Sequence, residues 1–302
     1  MSQRKLKIAC AGLGRMGARH ALNFANRTLR ADLVAAFTPD PKEKAWAATA
    51  LPNTTVYTDY DEMLNHLGLD AAVIATVTTC QGIKCREATS KRHGAIRQVS
   101  ILRSQICDKL DPSGFFVTYA EFSGGIFVDC NIHDIDLALW YFGQDSVMKS
   151  VVTMGITAVQ PDLRRHKDVD NSAGVVEFWD GKIAYFYSSR MMAAGQHDMT
   201  EIIGTKGKLS INANPQGSLA EIYEPQGVQR EIPADYYGRF EHAFVTEANE
   251  FTAACFENTK LPFILSGAVQ AVTIGCALQE SLNSGQKIFF DETGGRIEAP
   301  NL

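Results

Sequence analysis

The chain has 302 residues, of which 45% are hydrophobic and 21% charged, as is typical of a globular protein with about two domains. A formal net charge of -5 argues against the basic surface of a nucleic-acid-binding protein. No apolar run reaches the ~18 residues of a membrane span, and residues 1–10 lead directly into a strand pattern, so we expect neither a membrane helix nor a signal peptide. The 7 cysteines are scattered without a CxxC pair, which predicts reduced thiols of a cytoplasmic protein and no metal site.

A glycine-rich turn follows the first predicted strand, Leu6–Ala11, and a helix is predicted after it from Met16 to Asn26. In such a GxGxxG turn the first glycine makes the turn, the second lets the backbone approach a pyrophosphate, and the third lets the helix pack on the strand. The N terminus of the helix offers free N–H groups to the phosphates. A second strand, Asp32–Phe37, follows at the expected distance. We therefore predict that a dinucleotide contacts Gly12, Gly14, Arg15, Met16 and Gly17.

The residues after the second strand decide between NAD and NADP. An acidic side chain at this point would hydrogen-bond the 2′-hydroxyl of the adenosine ribose and favour NAD. This chain has Thr38, and Asp40 comes two places later. The neutral Thr38 leaves room for a 2′-phosphate that Arg15 could pair, whereas an Asp40 that reaches back would favour NAD. The sequence leaves both cofactors open.

The first domain continues with a third strand, Asn53–Tyr57, a helix over Asp59–Leu67, and a fourth strand, Asp70–Thr76. The fourth strand is apolar throughout, as a buried parallel strand should be. Ligands of parallel sheets bind beyond the carboxyl ends of the strands. Thr76 and Thr78 are therefore predicted to contact the cofactor.

The segment Ser123–Gly143 is predicted to be one amphipathic helix that starts at a glycine pair. Asp129 and His133 are four residues apart, so one continuous helix would place them on the same face. A carboxylate one turn before an imidazole can orient it, fix its tautomer and raise its pKa. This arrangement suits a general base that takes a proton from an alcohol. The alternative is a buried histidine that its neighbour satisfies.

Three segments, AGLGRMG, DAAVIAT and GGIFVDCNIHDIDLALW, together resemble the Gfo/Idh/MocA family of oxidoreductases, with fungal inositol 2-dehydrogenase-like members the most similar. The resemblance covers about residues 4–79 and 99–292. It implies an α/β Rossmann-like domain, expected at 1–98, and an α+β domain with a large open, mostly antiparallel sheet, expected at 99–302. It also implies that Asp129 and His133 are active-site residues. The implied activity is hydride transfer between nicotinamide and a secondary alcohol of a sugar or polyol.

The resemblance breaks between about Cys80 and Val99. Family members have a Glu-Lys-Pro motif here whose lysine is catalytic, and this chain contains no Glu-Lys-Pro. The segment is too short for two more parallel strands with their crossovers, so we expect an internal deletion and a truncated parallel sheet of four strands in the order 3-2-1-4. Without the lysine, weak or no turnover is expected. The alternatives are a catalytically impaired dinucleotide-binding pseudoenzyme or sensor, and a deletion product that folds poorly.

The second domain offers three weaker substrate-site candidates: Lys109, Asp170 and Tyr236. Lys109 could stand in for the missing lysine or be a salt-bridged surface residue. Asp170 closes a charged loop, predicted over residues 162–170, for which a solvated loop is the alternative. Strand patterns on both sides of Asp180-Gly181 predict a hairpin. A sheet built from such hairpins leaves one face, expected to include Val175, Phe178, Tyr185 and Tyr187, for a homodimer or homotetramer contact.

Overall fold

A computed structural model describes residues 4–75, 96–259 and 265–299 of the chain. The described residues form two compact units, one of 4–75 with 240–259 and the other of 96–239 with 265–299. The division that we predicted between residues 98 and 99 stays a prediction. The sequence did not suggest that a stretch after residue 239 belongs to the first unit. None of the described helices is long and apolar enough to cross a membrane.

The first unit contains a parallel sheet. Its elements follow one another as β1 (Leu6–Ala11), α1 (Gly17–Asn26), β2 (Ala31–Phe37), α2 (Pro41–Ala50), β3 (Thr55–Tyr57), α3 (Tyr60–Leu64) and β4 (Ala71–Ile74). The described strands pair in the order β3-β2-β1-β4, and all three pairings are parallel. The predicted order 3-2-1-4 is thereby confirmed for this part of the chain.

Apolar side chains cover both faces of the central strands β1 and β2. On one face Ile8 and Cys10 pack with Phe24 of α1 and with Ala248 of a later helix. On the other face Ala9 packs in a smaller cluster with alanines of β1 and β2 and with α3. The prediction that β4 is buried throughout is wrong, since Ile74 is 57% exposed. Its position explains this, because β4 is an end strand of the described sheet and pairs with β1 alone.

The second unit is built on an eight-stranded sheet in the order β10-β9-β5-β8-β7-β6-β13-β14. Its strands are β5 (Val99–Lys109), β6 (Met148–Ile156), β7 (Asn171–Phe178), β8 (Ile183–Met192), β9 (His197–Gly204), β10 (Gly207–Ile211), β13 (Ile288–Phe290) and β14 (Arg296–Ile297). The pair β5–β8 is parallel and the other pairs are antiparallel. Strands β11 (Glu221–Glu224) and β12 (Gly227–Arg230) form a separate hairpin. The expected α/β plus α+β fold class is confirmed, as is the hairpin at Asp180-Gly181, where β7 turns into β8.

The described helices that follow β4 are short, apart from the last two. They are α4 (Phe115–Tyr119), α5 (Ile126–Asp129), α6 (Ile132–Phe142), a 3-10 helix (Pro161–His166), α7 (Tyr236–Glu257) and α8 (Leu265–Ser284). Residues 240–257 of α7 belong to the first unit. The prediction of a loop over residues 162–170 is wrong where the 3-10 helix forms. It is also wrong at its end, where Asp168 and Asp170 are buried.

The two faces of the large sheet differ in what covers them. Leu102, Val176 and Phe186 point to the face on which α5, α6 and α8 pack, and they form its main apolar core with Phe127 and Leu278. Phe178 belongs to this covered face and is only 3% exposed, so its assignment to the open face was wrong. The reason is the two-residue repeat of a strand, which places Phe178 in phase with Val176.

Candidate active site

The glycine turn after β1 has the geometry that its sequence predicts. Gly12 has a φ of +90°, a conformation that glycine adopts readily, and its N–H donates to the Phe37 carbonyl at 2.9 Å. A Cβ on Gly17 would lie 2.0 Å from the Gly12 carbonyl oxygen, so only glycine fits where α1 packs against the turn. The first turn of α1 carries no acidic residue. The turn and the helix N terminus therefore fit the pyrophosphate of a dinucleotide.

The other predicted cofactor residues differ in their surroundings. Arg15 is exposed, and Met16 is the residue that precedes α1. Thr38 is fully buried, and Asp40 caps α2 by accepting the Lys42 N–H at 2.7 Å. Contact of these four residues with a cofactor stays a prediction. Thr76 and Thr78 lie outside the described residues.

The predicted single helix over Ser123–Gly143 is two helices, α5 and α6, and that prediction is wrong. The break lies at Cys130-Asn131, where the N–H of Asn131 donates to the carbonyl of Ile126 five residues earlier, at 3.3 Å. A five-residue hydrogen bond of this kind inserts an extra residue into the helical repeat and is frequent at functional sites. Asp129 is consequently the last residue of α5 and His133 the second residue of α6. Both side chains are half-buried.

Asp129 is held by a buried arginine of β8. Nη2 of Arg190 donates to Oδ2 of Asp129 at 2.5 Å, and Nη1 donates to Oδ2 of Asp168 at 3.1 Å. The other oxygen of Asp168 accepts the N–H of Ile126, the first residue of α5, at 2.9 Å. Arg190 therefore connects the two ends of α5, and we call Arg190, Asp129 and Asp168 the Arg190 bridge. The Phe116 ring lies 5.0 Å from the Arg190 guanidinium carbon, close enough for a cation–π contact.

Burial alone would lower the pKa of Arg190, but the negative charges of Asp129 and Asp168 raise it above its ordinary value. Arg190 and Asp168 side chains are each only 1% exposed, whereas Asp129 is 19% exposed. The bridge thus fixes the backbone of α5 from the buried side. The Asp129 carboxylate, which accepts a hydrogen bond from Arg190, stays within reach of solvent or substrate.

A second polar network holds the start of α6. Ser188 of β8 donates to the Asn131 amide oxygen at 2.6 Å, and the Asn131 amide donates to Asp134 at 3.3 Å. Ser104 of β5 donates to the other Asp134 oxygen at 2.7 Å and lies 2.8 Å from the Thr200 hydroxyl. Burial raises the pKa of Asp134 to about 7, although the hydrogen bonds from Ser104 and Asn131 act in the opposite direction. The segment that carries Asp129 and His133 is therefore tied to β8 and β5 at its break.

The thiol of Cys130 lies between two carboxylates, 3.8 Å from Oδ2 of Asp129 and 3.9 Å from Oδ2 of Asp108. Burial raises its pKa well above the ordinary value, so the group is a thiol at neutral pH. Gln196 donates one hydrogen bond to Asp108 at 2.7 Å and another to Asp198 at 2.9 Å. Burial, and then the charge of Asp108, raises the pKa of Asp198 well above its ordinary value.

The three weaker substrate candidates occupy different environments. Lys109 is the exposed last residue of β5, and Tyr236 is the half-buried first residue of α7. Asp170 is fully buried. Its carboxylate accepts the backbone N–H groups of Ala158, Val159 and Gln160 at 2.7–2.9 Å. These bonds show that Asp170 shapes the turn after β6; a substrate contact of any of the three stays a prediction.

Sequence reasoning missed Arg190, Asp168, Asn131 and Asp134. One signal was available for Arg190, because it is in phase with Ala184, Phe186 and Ser188 on the buried side of β8. A charged side chain at a buried strand position needs charged partners. The partners themselves could not be read from the strand, since they come from segments 22 and 61 residues away.

Comparison with known proteins places both units in one family. Residues 6–95 match the family model described as "Oxidoreductase family, NAD-binding Rossmann fold", and residues 84–210 match the "GFO/IDH/MocA C-terminal domain". The chain belongs to the Gfo/Idh/MocA family of oxidoreductases. Its N-terminal match is the NAD-binding domain of that family, as the glycine turn predicts.

Relatives of known activity cover nearly the whole chain. The scyllo-inositol 2-dehydrogenase (NAD(+)) of Bacillus subtilis is 27% identical, with 96% of this chain and 97% of the relative aligned. The structure of scyllo-inositol dehydrogenase from Lactobacillus casei with bound NAD(H) and scyllo-inositol has a TM-score of 0.85 at 26% identity. That similarity covers 95% of this chain and 99% of the other. Myo-inositol 2-dehydrogenase from Lactobacillus plantarum superimposes with a TM-score of 0.86 at 25% identity over 95% of this chain and 100% of the other.

These comparisons establish an NAD-dependent enzyme by family, and they do not support the pseudoenzyme alternative. The alignment with the B. subtilis relative runs over 337 positions, more than the 302 residues of this chain. It therefore contains positions at which the relative has residues and this chain has none. The proposed deletion between Cys80 and Val99 and the fungal affinity stay predictions.

Proposed function

We propose that this chain oxidises a secondary hydroxyl group of a cyclic polyol of the inositol type to a ketone. The reaction removes a hydride and a proton from one carbinol, so that alcohol and NAD give ketone, NADH and one proton. The proposal is supported by the substrates in the names of the relatives and by the geometry around Asp129 and His133.

The observation that carries the proposal is the helix break at Cys130-Asn131. Two independent polar groupings anchor it, the Arg190 bridge on one side and the Asn131–Asp134 network on the other. Asp129 and His133 flank the break and are both half-buried. Groups that act on a substrate must be fixed to within a fraction of an ångström, and two sets of buried polar contacts provide that constraint.

In the proposed mechanism His133 removes the hydroxyl proton of the substrate. Asp129, which Arg190 holds in place, supplies negative charge beside the break. Its proposed role is to orient His133, as we expect from the sequence. NAD, when bound, supplies the hydride acceptor. The glycine turn at Gly12, Gly14 and Gly17 would hold its pyrophosphate.

The Glu-Lys-Pro motif of the family is absent from the sequence. General acid–base groups each contribute about 10²- to 10⁴-fold to rate. We therefore expect turnover to be slower, by a factor in that range, than in a relative that has the lysine. Lys109 is the proposed replacement, and its exposure at the end of β5 leaves its amine accessible.

The test begins with fluorescence titrations of the purified chain with NADH and NADPH. NADH formation at saturating NAD is then followed with scyllo-inositol and myo-inositol as substrates. His133→Ala should reduce kcat by about 10²- to 10⁴-fold while NADH still binds. His242→Ala is the matched control, because His242 is exposed. Oxidation of inositols by His133→Ala at the unmodified rate would exclude the proposed base, and failure to bind NADH would exclude the proposed function altogether.

We also propose that two or four copies associate through the open face of the large sheet. Val152 of β6 lies beside Val175 of β7, which lies beside Tyr185 of β8. Two residues further along these strands, Met154 and Tyr187 lie in register on the same face of the sheet. Met154 is 76% exposed in the single chain, and such apolar faces commonly mark subunit contacts. Sedimentation velocity should show a dimer or tetramer that Met154→Lys dissociates, and an unmodified chain that sediments as a monomer would contradict the proposal.

A cytoplasmic location is proposed from the state of the cysteines. Cys10, Cys107 and Cys130 are buried free thiols, whereas Cys255 and Cys276 are exposed. Burial raises the pKa of Cys10 and Cys107 to about 12. Core thiols of this kind are typical of reducing compartments. Imaging of a tagged chain in its native cells tests the location, and accumulation outside the cytoplasm would contradict it.

A further inference from the structure

The position after β2, where an acidic residue ordinarily binds the adenosine ribose, is occupied by Thr38. The hydroxyl of Thr38 is hydrogen-bonded to other groups of the protein. Thr38 is fully buried. Its hydroxyl donates to Oε2 of Glu43 at 2.5 Å and accepts the N–H of Asp40 at 3.1 Å. Thr38 therefore contacts other protein groups and holds a carboxylate beside the end of β2.

Asp40, the other acidic residue nearby, has a structural task. It precedes α2, and its Oδ1 accepts the N–H of Lys42 at 2.7 Å. A capping aspartate of this kind satisfies one of the free N–H groups at the helix start. The sequence also has the form Asp-x-x-Glu at this helix, in which the glutamate ordinarily reaches back to the N–H of the capping residue. Here the N–H of Asp40 donates to Thr38, and Glu43 is directed to Thr38 as well.

The second oxygen of Glu43 faces the phosphate-binding turn. A Cβ built on Gly14 would lie 3.5 Å from Oε1 of Glu43. Gly14 is the glycine at which the backbone approaches the pyrophosphate. The Glu43 carboxylate thus lies between the end of β2, from which the ribose is read, and the turn that holds the phosphates.

We propose that Glu43, positioned by Thr38, reads the adenosine ribose and makes the chain selective for NAD over NADP. This inference rests on the proposed use of a nicotinamide cofactor. The carboxylate would accept a hydrogen bond from a ribose hydroxyl, as the acidic residue after β2 does in other Rossmann domains. Its negative charge would repel a 2′-phosphate at the same place. The acidic group would thus come from the first turn of α2 and not from the residue that follows β2.

The experiment measures affinity, and so it does not depend on turnover. Dissociation constants are determined by titration for NADH and NADPH, and for ADP-ribose and its 2′-phosphate, which lack nicotinamide. The unmodified chain should prefer the nucleotides without the 2′-phosphate. Loss of one charged hydrogen bond in Glu43→Gln should weaken NADH about tenfold. Relief of repulsion should strengthen NADPH, so the preference falls by more than tenfold.

Three further variants isolate the effect. Glu43→Asp retains the charge and should retain a preference for NADH. Thr38→Val removes the hydroxyl that anchors Glu43 and should weaken NADH without strengthening NADPH as much as Glu43→Gln does. Glu62→Gln changes an exposed glutamate in the first turn of α3 and is the matched control. Circular dichroism and melting temperature verify that each variant is folded.

The outcomes separate this inference from the proposed function. Binding of neither NADH nor ADP-ribose by the unmodified chain would overturn both. If the unmodified chain binds NADH but Glu43→Gln retains its NADH-to-NADPH ratio, only the role of Glu43 is overturned. A ratio that changes in Asp40→Asn instead would assign the ribose to Asp40, and tight NADPH binding lost in Arg15→Ala would assign a 2′-phosphate to Arg15. Either result would also overturn the role of Glu43.

Discussion

Replacement of Arg190 by methionine should destabilise the second unit and abolish activity. The substitution leaves the Asp168 carboxylate, which is 1% exposed, without its cationic partner. Loss of one partner from a buried ion pair costs about 3–5 kcal/mol, because the remaining charge has no compensation. Most of this cost should come from Asp168, since Asp129 is 19% exposed and can be hydrated. The four-residue α5 has too few internal hydrogen bonds to persist without tertiary contacts, so the Asp129 carboxylate should also lose its place.

Urea unfolding of the second unit provides the measurement. Trp140 and Trp179 lie in the second unit and Trp46 in the first, so tryptophan fluorescence in a Trp46→Phe background reports on the unit that is changed. The control is Arg296→Met, which removes an exposed ion pair with Glu280 within the same unit. Surface pairs of this kind contribute about 0–1 kcal/mol.

The double variant Arg190→Met, Asp168→Asn tests the cause of the loss. If an unpaired buried charge destabilises Arg190→Met, neutralising Asp168 should recover part of the loss, within the roughly 0.5–3 kcal/mol of coupling measured for residues in contact. A midpoint for Arg190→Met no lower than that of the Arg296→Met control would refute the reasoning. Equal destabilisation with and without Asp168→Asn would show that the guanidinium acts by packing, for example on Phe116.

Two further predictions concern Asp134 and Lys109. Burial raises the pKa of Asp134 to about 7, whereas its unfolded value is about 3.9. Between these values the folded state binds more protons, so this group lowers stability as pH rises, by about 4 kcal/mol in all. Asp134→Asn should lose hydrogen bonds at every pH, but its stability should no longer fall as the pH rises. The unfolding free energy of Asp134→Asn minus that of the unmodified chain should therefore increase from pH 5 to pH 8. A difference that stays constant over this range would argue against the raised pKa. Lys109→Met should lower kcat at least tenfold with unchanged NADH affinity if Lys109 replaces the missing lysine, and an unchanged kcat would assign it to the surface.

The parallel sheet could be predicted from sequence because its signals are local. Strand, glycine turn and helix follow one another within 21 residues, Leu6–Asn26, and each is specified by its own residues. The order 3-2-1-4 followed from the shortness of the segment after β4, together with the resemblance to a family. The exposure of Ile74 could not be predicted, because burial depends on which element lies beyond β4 and not on the apolar character of the strand.

Two residues of the candidate site could be proposed from the sequence, but their buried partners and their geometry could not. Asp129 and His133 stand out by type and spacing, and a continuous helical pattern surrounds them. The break at Cys130-Asn131 follows from tertiary hydrogen bonds, since Asn131 is bonded to Ser188 of a strand 57 residues later. Local periodicity contains no information about such contacts. Glu43 was missed for a related reason, because the acidic residue was sought at the strand end and the structure supplies it from a helix.

The Arg190 bridge holds the short helix α5 with buried charges, and removing those charges from water costs free energy. This cost suggests that the bridge has a role besides stability. Apolar side chains of similar volume are often at least as stabilising as a buried ion pair. An apolar pair at positions 190 and 168 should therefore recover most of the stability that Arg190→Met loses, apart from the hydrogen bond that Asp168 accepts from the Ile126 N–H. Such a pair would not hold the Asp129 carboxylate, to which Arg190 donates directly. Stability and kcat can be measured in a double variant with apolar residues at positions 190 and 168. If stability is recovered while kcat stays low, the Arg190 bridge serves to position Asp129. Recovery of both would assign the bridge to folding alone.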